Sequence, residues 1–147
     1  VGGVEGCQEL FDAESMREYG DARFAARRRM IVDAYCLQHP DRYCTSAISL
    51  AAHLTGVYVA VERAGDDHRL NAQIQRWLSS RPALVKPPIP DRRGSLTIAD
   101  LAAATSAVDH ALIAERWAAD VWTAYGELQP IALDWVGRAT ERTEVRA

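Results

Sequence analysis

Lysine is almost missing from this chain: Lys86 alone stands beside sixteen arginines. With so much alanine, the skew reads most simply as GC-rich codon use in a bacterium. The formal net charge of −3 offers no basic surface to displace counterions, so no nucleic acid is expected as a partner. Long apolar runs are missing too. None approaches the roughly 20 residues that cross a bilayer, and the best stretch, 47–61, holds Ser49, His53 and Thr55. No membrane is expected as a partner either. Cysteine is sparse, and Cys7, Cys36 and Cys44 make an odd set without the density of a disulfide scaffold, which points to a reducing cytoplasm. The opening Val1-Gly2-Gly3-Val4-Glu5-Gly6 has neither the basic start nor the apolar stretch of a signal peptide. The absent initiator Met suggests a trimmed chain. Also lacking are GxSxG, HExxH, a pair of ExxH motifs, CxxC and a glycine-rich phosphate loop.

What is present fits one globular domain spanning 1–147: 147 residues, 48% hydrophobic and 25% charged. No segment alternates like a strand, and helical periodicity recurs instead, predicting an all-α, single-domain bundle of five to six helices. A first helix is expected over Cys7–Tyr19, with Leu10, Phe11 and Tyr19 partly inward and Gly20 as its stop. Asp21 caps a second to Gln38, ended by Pro40. The third runs from Thr45 or Ser46 to Arg63, with Ala47, Leu50, Leu54, Val57 and Val61 forming a narrow inward stripe. Asp66 or Asp67 caps a fourth helix to Ser80. Residues 81–96 hold Pro82, Pro87, Pro88 and Pro90 and read as an extended, partly polyproline loop, a lid, binding loop or clamp. Thr97 with Asp100 and Ser106 with Asp109 resemble capping boxes. They open a short turn over 98–104 and a long helix to Tyr125. Pro130 starts a last helix to Thr140, and 141–147 is a polar tail expected to fray.

The histidines are the most informative polar residues. His110 falls within an apolar arc with Ala107, Ala114, Trp117 and Val121, and His53 flanks the Leu50–Leu54–Val57 stripe. His39 closes the second helix. Facing helices of a bundle are a familiar place for histidine metal ligands. The competing reading is a core histidine satisfied by one hydrogen bond. His68 looks exposed at a helix start. Cys36 and His39 share a helix face, yet Cys36-x2-His39-x4-Cys44-x8-His53 matches no established zinc spacing, and a buried cysteine is more often a small hydrophobe. Cys7 opens the first helix, where the dipole favours a thiolate. Glu62 and Glu115 lie towards the polar sides of their helices, which argues against di-iron. Trp77, Trp117, Trp122 and Trp135 are core candidates, or an aromatic pocket wall with the proline-rich loop as its lip. Arg27-Arg28-Arg29 spans three helix directions, so at least one should meet another element or an acidic partner.

Four stretches together resemble a bacterial family catalogued only as a domain of unknown function. They are Cys7-Gln8-Glu9-Leu10-Phe11, Val32-Asp33-Ala34-Tyr35 with Leu37-Gln38-His39-Pro40, His53-Leu54-Thr55-Gly56, and Trp117-Ala118 with Val121-Trp122. The resemblance implies one domain and a common function, without supplying an activity. Members often carry a short cysteine-bearing segment upstream of the position of Cys7. The pattern carries over Cys7, His39 and His53, and leaves out Cys36 and Cys44.

The leading expectation is therefore a metal-binding helical protein with Cys7, His39 and His53 as ligands and His110 as a fourth ligand or supporting partner. Zinc is the first choice for mixed sulfur and imidazole donors. Two alternatives stand beside it: a non-catalytic interaction module, which could be a homodimer, and a helical small-molecule pocket against Trp117 and Trp122. Neither a substrate nor a reaction is assigned.

Overall fold

The computed structural model describes residues 3–63 and 67–145, with side chains described for 6–63 and 67–141. Among these residues the secondary structure is entirely helical. The helices are α1 (Gly3–Gly20), α2 (Arg28–Gln38), α3 (Pro40–Tyr43), α4 (Ala47–Glu62), α5 (His68–Ser79), α6 (Ile98–Ala102), α7 (Ala107–Ala124) and α8 (Gln129–Val145). Short 3-10 turns cover Ala22–Arg27 and Gly126–Leu128.

Helix α4 is the shared wall. On one side α2, α4 and α7 pack mutually, and on the other α4, α5 and α8 do the same. Helix α1 lies across the first group, against the 3-10 turn at Ala22–Arg27 and against α6. Sequence explains the central position of α4, because Leu50, Leu54 and Val57 are fully buried and belong to a core shared with Ile31, Leu37, Trp117 and Val121. Each such side chain adds about 1.5–3 kcal/mol of burial free energy.

The helix starts follow capping chemistry. Ser46 accepts the Ser49 amide at 3.0 Å while Ser49 Oγ accepts the Ser46 amide at 3.1 Å. Thr97 and Asp100 form the same reciprocal box at α6. Ser106 takes the Asp109 amide at 3.1 Å and Asp67 that of Leu70 at 3.0 Å; Asp66, the other candidate cap, lies outside the described residues.

Four boundaries differ from the sequence expectation. Helix α1 begins at Gly3, so Cys7 lies in its second turn and does not open the helix as expected. Asp21 accepts the Arg23 amide at 3.0 Å, only two residues on, so the expected second helix opens as a tighter 3-10 turn that drives Phe24 inward. Pro40 both ends α2 and begins the single turn α3, since a proline at the first helical position gives up no needed donor. Helix α8 continues to Val145 where fraying was expected; residues 146–147 lie outside the described ones.

Residues 81–97 carry no helix. The chain leaves α5 through Arg81 in a left-handed conformation, φ 52. Further on it is pinned between α2 and α7. Gln38 Nε2 donates to the carbonyls of Arg93 and Leu96 at 2.9 and 2.7 Å. Asp120 Oδ2 accepts the amides of Ser95 and Leu96 at 2.7 and 2.8 Å. Gly94 sits between them with φ 102. Beneath this strap the Tyr125 hydroxyl donates to the Leu37 carbonyl.

Candidate functional site

Helix α1 turns an unexpected face inward. Its first half buries apolar side chains, Phe11 stacking on Tyr35 with ring centroids 4.1 Å apart. Continuing that stripe at i+3 and i+7 come Glu14 and Glu18, whose exposures are 5% and 2%, while Met16 and Tyr19 stand 75% and 76% exposed. Tyr19, expected to be partly inward, therefore points outward, and two carboxylates take the interior. A buried carboxylate needs a charged or hydrogen-bonding partner to offset its lost hydration, and α7, α2 and α1 itself provide them.

His110, 1% exposed, reaches across from α7. Its Nε2 lies 3.5 Å from Glu14 Oε2 and 3.7 Å from Glu18 Oε1, and the edge of Phe24 closes one side of the ring at 5.1 Å. Arg28 Nη1 donates to Glu18 Oε2 at 2.7 Å, leaving Oε1 turned to the histidine. Arg17 Nη2 lies 2.8 Å from Glu14 Oε2, but its N–H groups are directed at the carbonyls of Ala104 and Leu101. As a result Glu14 Oε2, Glu18 Oε1 and His110 Nε2 are all buried without a hydrogen-bond partner. Three such atoms facing one point are uncommon in a folded protein.

The electrostatics follow from burial. Desolvation raises both carboxyls above the usual range, opposed at Glu14 by Arg17 and at Glu18 chiefly by Arg28. Desolvation and then Arg17 lower His110, which keeps its imidazole neutral and one ring nitrogen available as a donor of electrons.

Among the described residues, Glu14, Glu18 and His110 form the one set of three or more His, Cys, Asp or Glu ligand atoms lying within 4.8 Å of one another. Of the four ligands anticipated from sequence, His110 belongs to this set and the other three lie elsewhere. Cys7 is half-buried on α1 and interacts electrostatically with Tyr35. His39 leans on the Tyr35 ring at 4.5 Å and is lowered by burial, then by Arg93 and Arg42. His53 Nδ1 meets Asp33 Oδ1 at 2.9 Å. Burial alone would lower His53, but its hydrogen bonds to Asp33 and Cys36 outweigh this and push it up to about 9. Burial also raises Asp33, against the pull of His53 and Arg29.

Glu14, Glu18 and Asp33 were all missed from sequence. The signal available was the three-arginine run. Arg27 pairs with Glu115, Arg28 with Glu18 and Arg29 with Asp33, at 2.9, 2.7 and 3.8 Å. Each meets a different acid, and two of those acids are buried. The glutamates considered instead are occupied otherwise: Glu62 accepts from Trp122 Nε1 at 2.9 Å. Trp117 and Trp122 sit in the core. A hollow of about 310 Å³ between α2, α4 and α7 is lined by Met30, Ala60, Val61, Glu115 and Ala119, without a tryptophan.

Comparison with known proteins gives no match among curated proteins and none among solved structures. A family model does match, over residues 1–126. That span contains α1 to α7 and both the Glu14–Glu18–His110 cluster and the Asp33–His53 pair, and by it the chain belongs to a family of unknown function, DUF5946.

Proposed function

We propose that this protein is a divalent-metal-binding helical protein whose ligands are Glu14, Glu18 and His110. One observation carries the reading: three buried ligand atoms, two on α1 and one on α7, lack hydrogen-bond partners. In a tetrahedral site with bonds of about 2.1 Å, neighbouring ligands lie about 3.4 Å apart. The 3.5 and 3.7 Å separations around His110 Nε2 come close to that value. Two carboxylate oxygens and one imidazole are a donor set that suits zinc and also manganese or iron(II). Zinc remains the first choice. The ligands are enclosed, which favours an ion that staples α1 to α7 over one that meets a substrate. No disulfide joins Cys7, Cys36 or Cys44 among the described residues, which fits a bacterial cytoplasm.

Elemental analysis of purified protein, with zinc titration by calorimetry, tests this. About one equivalent is expected, retained in His39→Ala and His53→Ala and lost in Glu18→Gln and His110→Gln. Loss in the first pair instead would move the site to the imidazoles anticipated from sequence, and no binding to the parent protein would end the metal reading.

Met16 and Tyr19 favour a second reading, an interaction module that self-associates through the outer face of α1. Tyr19 is held in place by Arg28, whose Cζ lies 4.4 Å from its ring centroid. Light scattering that finds a dimer in the parent and a monomer in Met16→Glu would support it.

A further inference from the structure

A metal ion accounts for three unpartnered atoms of the cluster and leaves a fourth unexplained. Arg17 Nε is also buried without a hydrogen-bond partner. It is an N–H donor, and no cation can satisfy it. Guanidinium geometry fixes where this donor faces. The Nε–H and one Nη2 N–H share an edge of the planar fork, and Nη2 lies 2.8 Å from Glu14 Oε2. The donor thus opens beside the ligand atom that Glu14 contributes. Phe24 holds the group there, with Arg17 Cζ 4.5 Å from its ring centroid and the His110 ring packed against the same phenyl at 5.1 Å.

Charge points the same way. Arg17 beside Glu14 and Arg28 beside Glu18 already balance both ionised carboxylates, and a coordinating imidazole is neutral. A divalent ion would leave this buried cluster with two excess positive charges, and an uncompensated buried charge is costly. Three protein ligands also leave one position of a tetrahedral ion open.

We infer that this open position takes a small inorganic monovalent anion, held by the metal and by Arg17 Nε together. The inference rests on the metal reading above. Enclosure sets the size of the anion. Glu18 and His110 are 2% and 1% exposed, whereas the Arg17 side chain is 27% exposed and marks the way in. A halide or a linear ion such as azide fits, and an aromatic carboxylate does not. The anion completes the tetrahedron, gives Arg17 its acceptor and removes half of the excess charge.

Cobalt(II), whose visible bands respond to its ligands, is loaded into the full chain in place of zinc, and sodium azide is titrated in at constant ionic strength. The bands should shift and saturate at about one azide per ion, and benzoate should leave them unchanged. In Arg17→Lys, which keeps the charge but loses the Nε–H, cobalt should still bind while azide weakens about tenfold or more. Should that variant fail to fold, the azide and benzoate titrations of the parent chain still decide the matter. Bound cobalt with a spectrum indifferent to azide would overturn the anion and leave the metal reading standing, whereas a chain that takes up no cobalt would remove both. A benzoate response equal to that of azide, or an azide affinity unchanged in Arg17→Lys, would also overturn the inference.

Discussion

Asp120 stands where a side chain at position 94 would have to go. A Cβ built on Gly94 lies 2.6 Å from Asp120 Oδ2, the oxygen that already holds the Ser95 and Leu96 amides. Gly94→Ala meets both this overlap and a φ of 102 that side chains rarely adopt. It should cost about 1–3 kcal/mol. Asp120→Ala strands two amides and should cost a comparable amount. Because both changes disable one contact, their combined effect in urea denaturation should fall short of the sum. A Gly94→Ala midpoint equal to that of the parent would show that the strap is not fixed as described.

Gly56 and Asp33 are coupled in the same way across α2 and α4. Gly56→Ala should destabilise by about 2 kcal/mol or more, since the overlapped carboxylate is buried and cannot swing aside. Asp33→Ala in the same chain should recover part of that loss, which a double-mutant cycle by chemical denaturation measures. Strict additivity would mean that the two residues do not touch.

Stability should fall on the alkaline side through His53. Its pKa is raised from an ordinary 6.5 to about 9 in the fold. A raised value contributes stability that is complete below the unfolded pKa and lost as pH climbs through the folded one. From pH 7 to 10 the parent should lose on the order of 1–3 kcal/mol more than His53→Gln does. Parallel pH profiles for the two proteins would contradict the Asp33–His53 ion pair.

Glu14→Gln with Glu18→Gln separates charge burial from metal binding. Without metal, neutral amides in place of two buried carboxylates should leave the melting temperature unchanged or raise it. With zinc at about 100 times its dissociation constant, the parent should gain about 2.7 kcal/mol, and the double variant nothing. Thermal scans with and without zinc decide it, and an equal gain in both proteins would place any ion elsewhere.

Much of the fold was legible because local rules and burial agree. The α4 stripe, the caps at Ser46 and Thr97, and the inward turn of His110 follow from periodicity and short polar side chains alone. The proline content of 81–96 marked a segment outside the helices, although its anchors, Gln38 and Asp120, could not be read from sequence because each acts through a distant backbone. The candidate site was half legible. His110 stood out as a polar residue in an apolar arc. Glu14 and Glu18 did not, because a helix read by itself assigns carboxylates to water. Only the arrival of Arg28 and His110 from other helices reverses that assignment. Asp33 was hidden likewise, its burial resting on a missing side chain at Gly56.

The reach of Arg17 has a consequence for the order in which the chain assembles. Its guanidinium ends on the carbonyl of Ala104, 87 residues further along. At synthesis rates of about 5–20 residues per second, Arg17 waits roughly 4–17 s for the carbonyl it reaches. Through that interval Arg28 is at hand for Glu18, while His110, which faces both carboxylates, is still missing. The cluster is complete only once α7 has been made and packed, so its ordering reports that the far half of the chain is already in place.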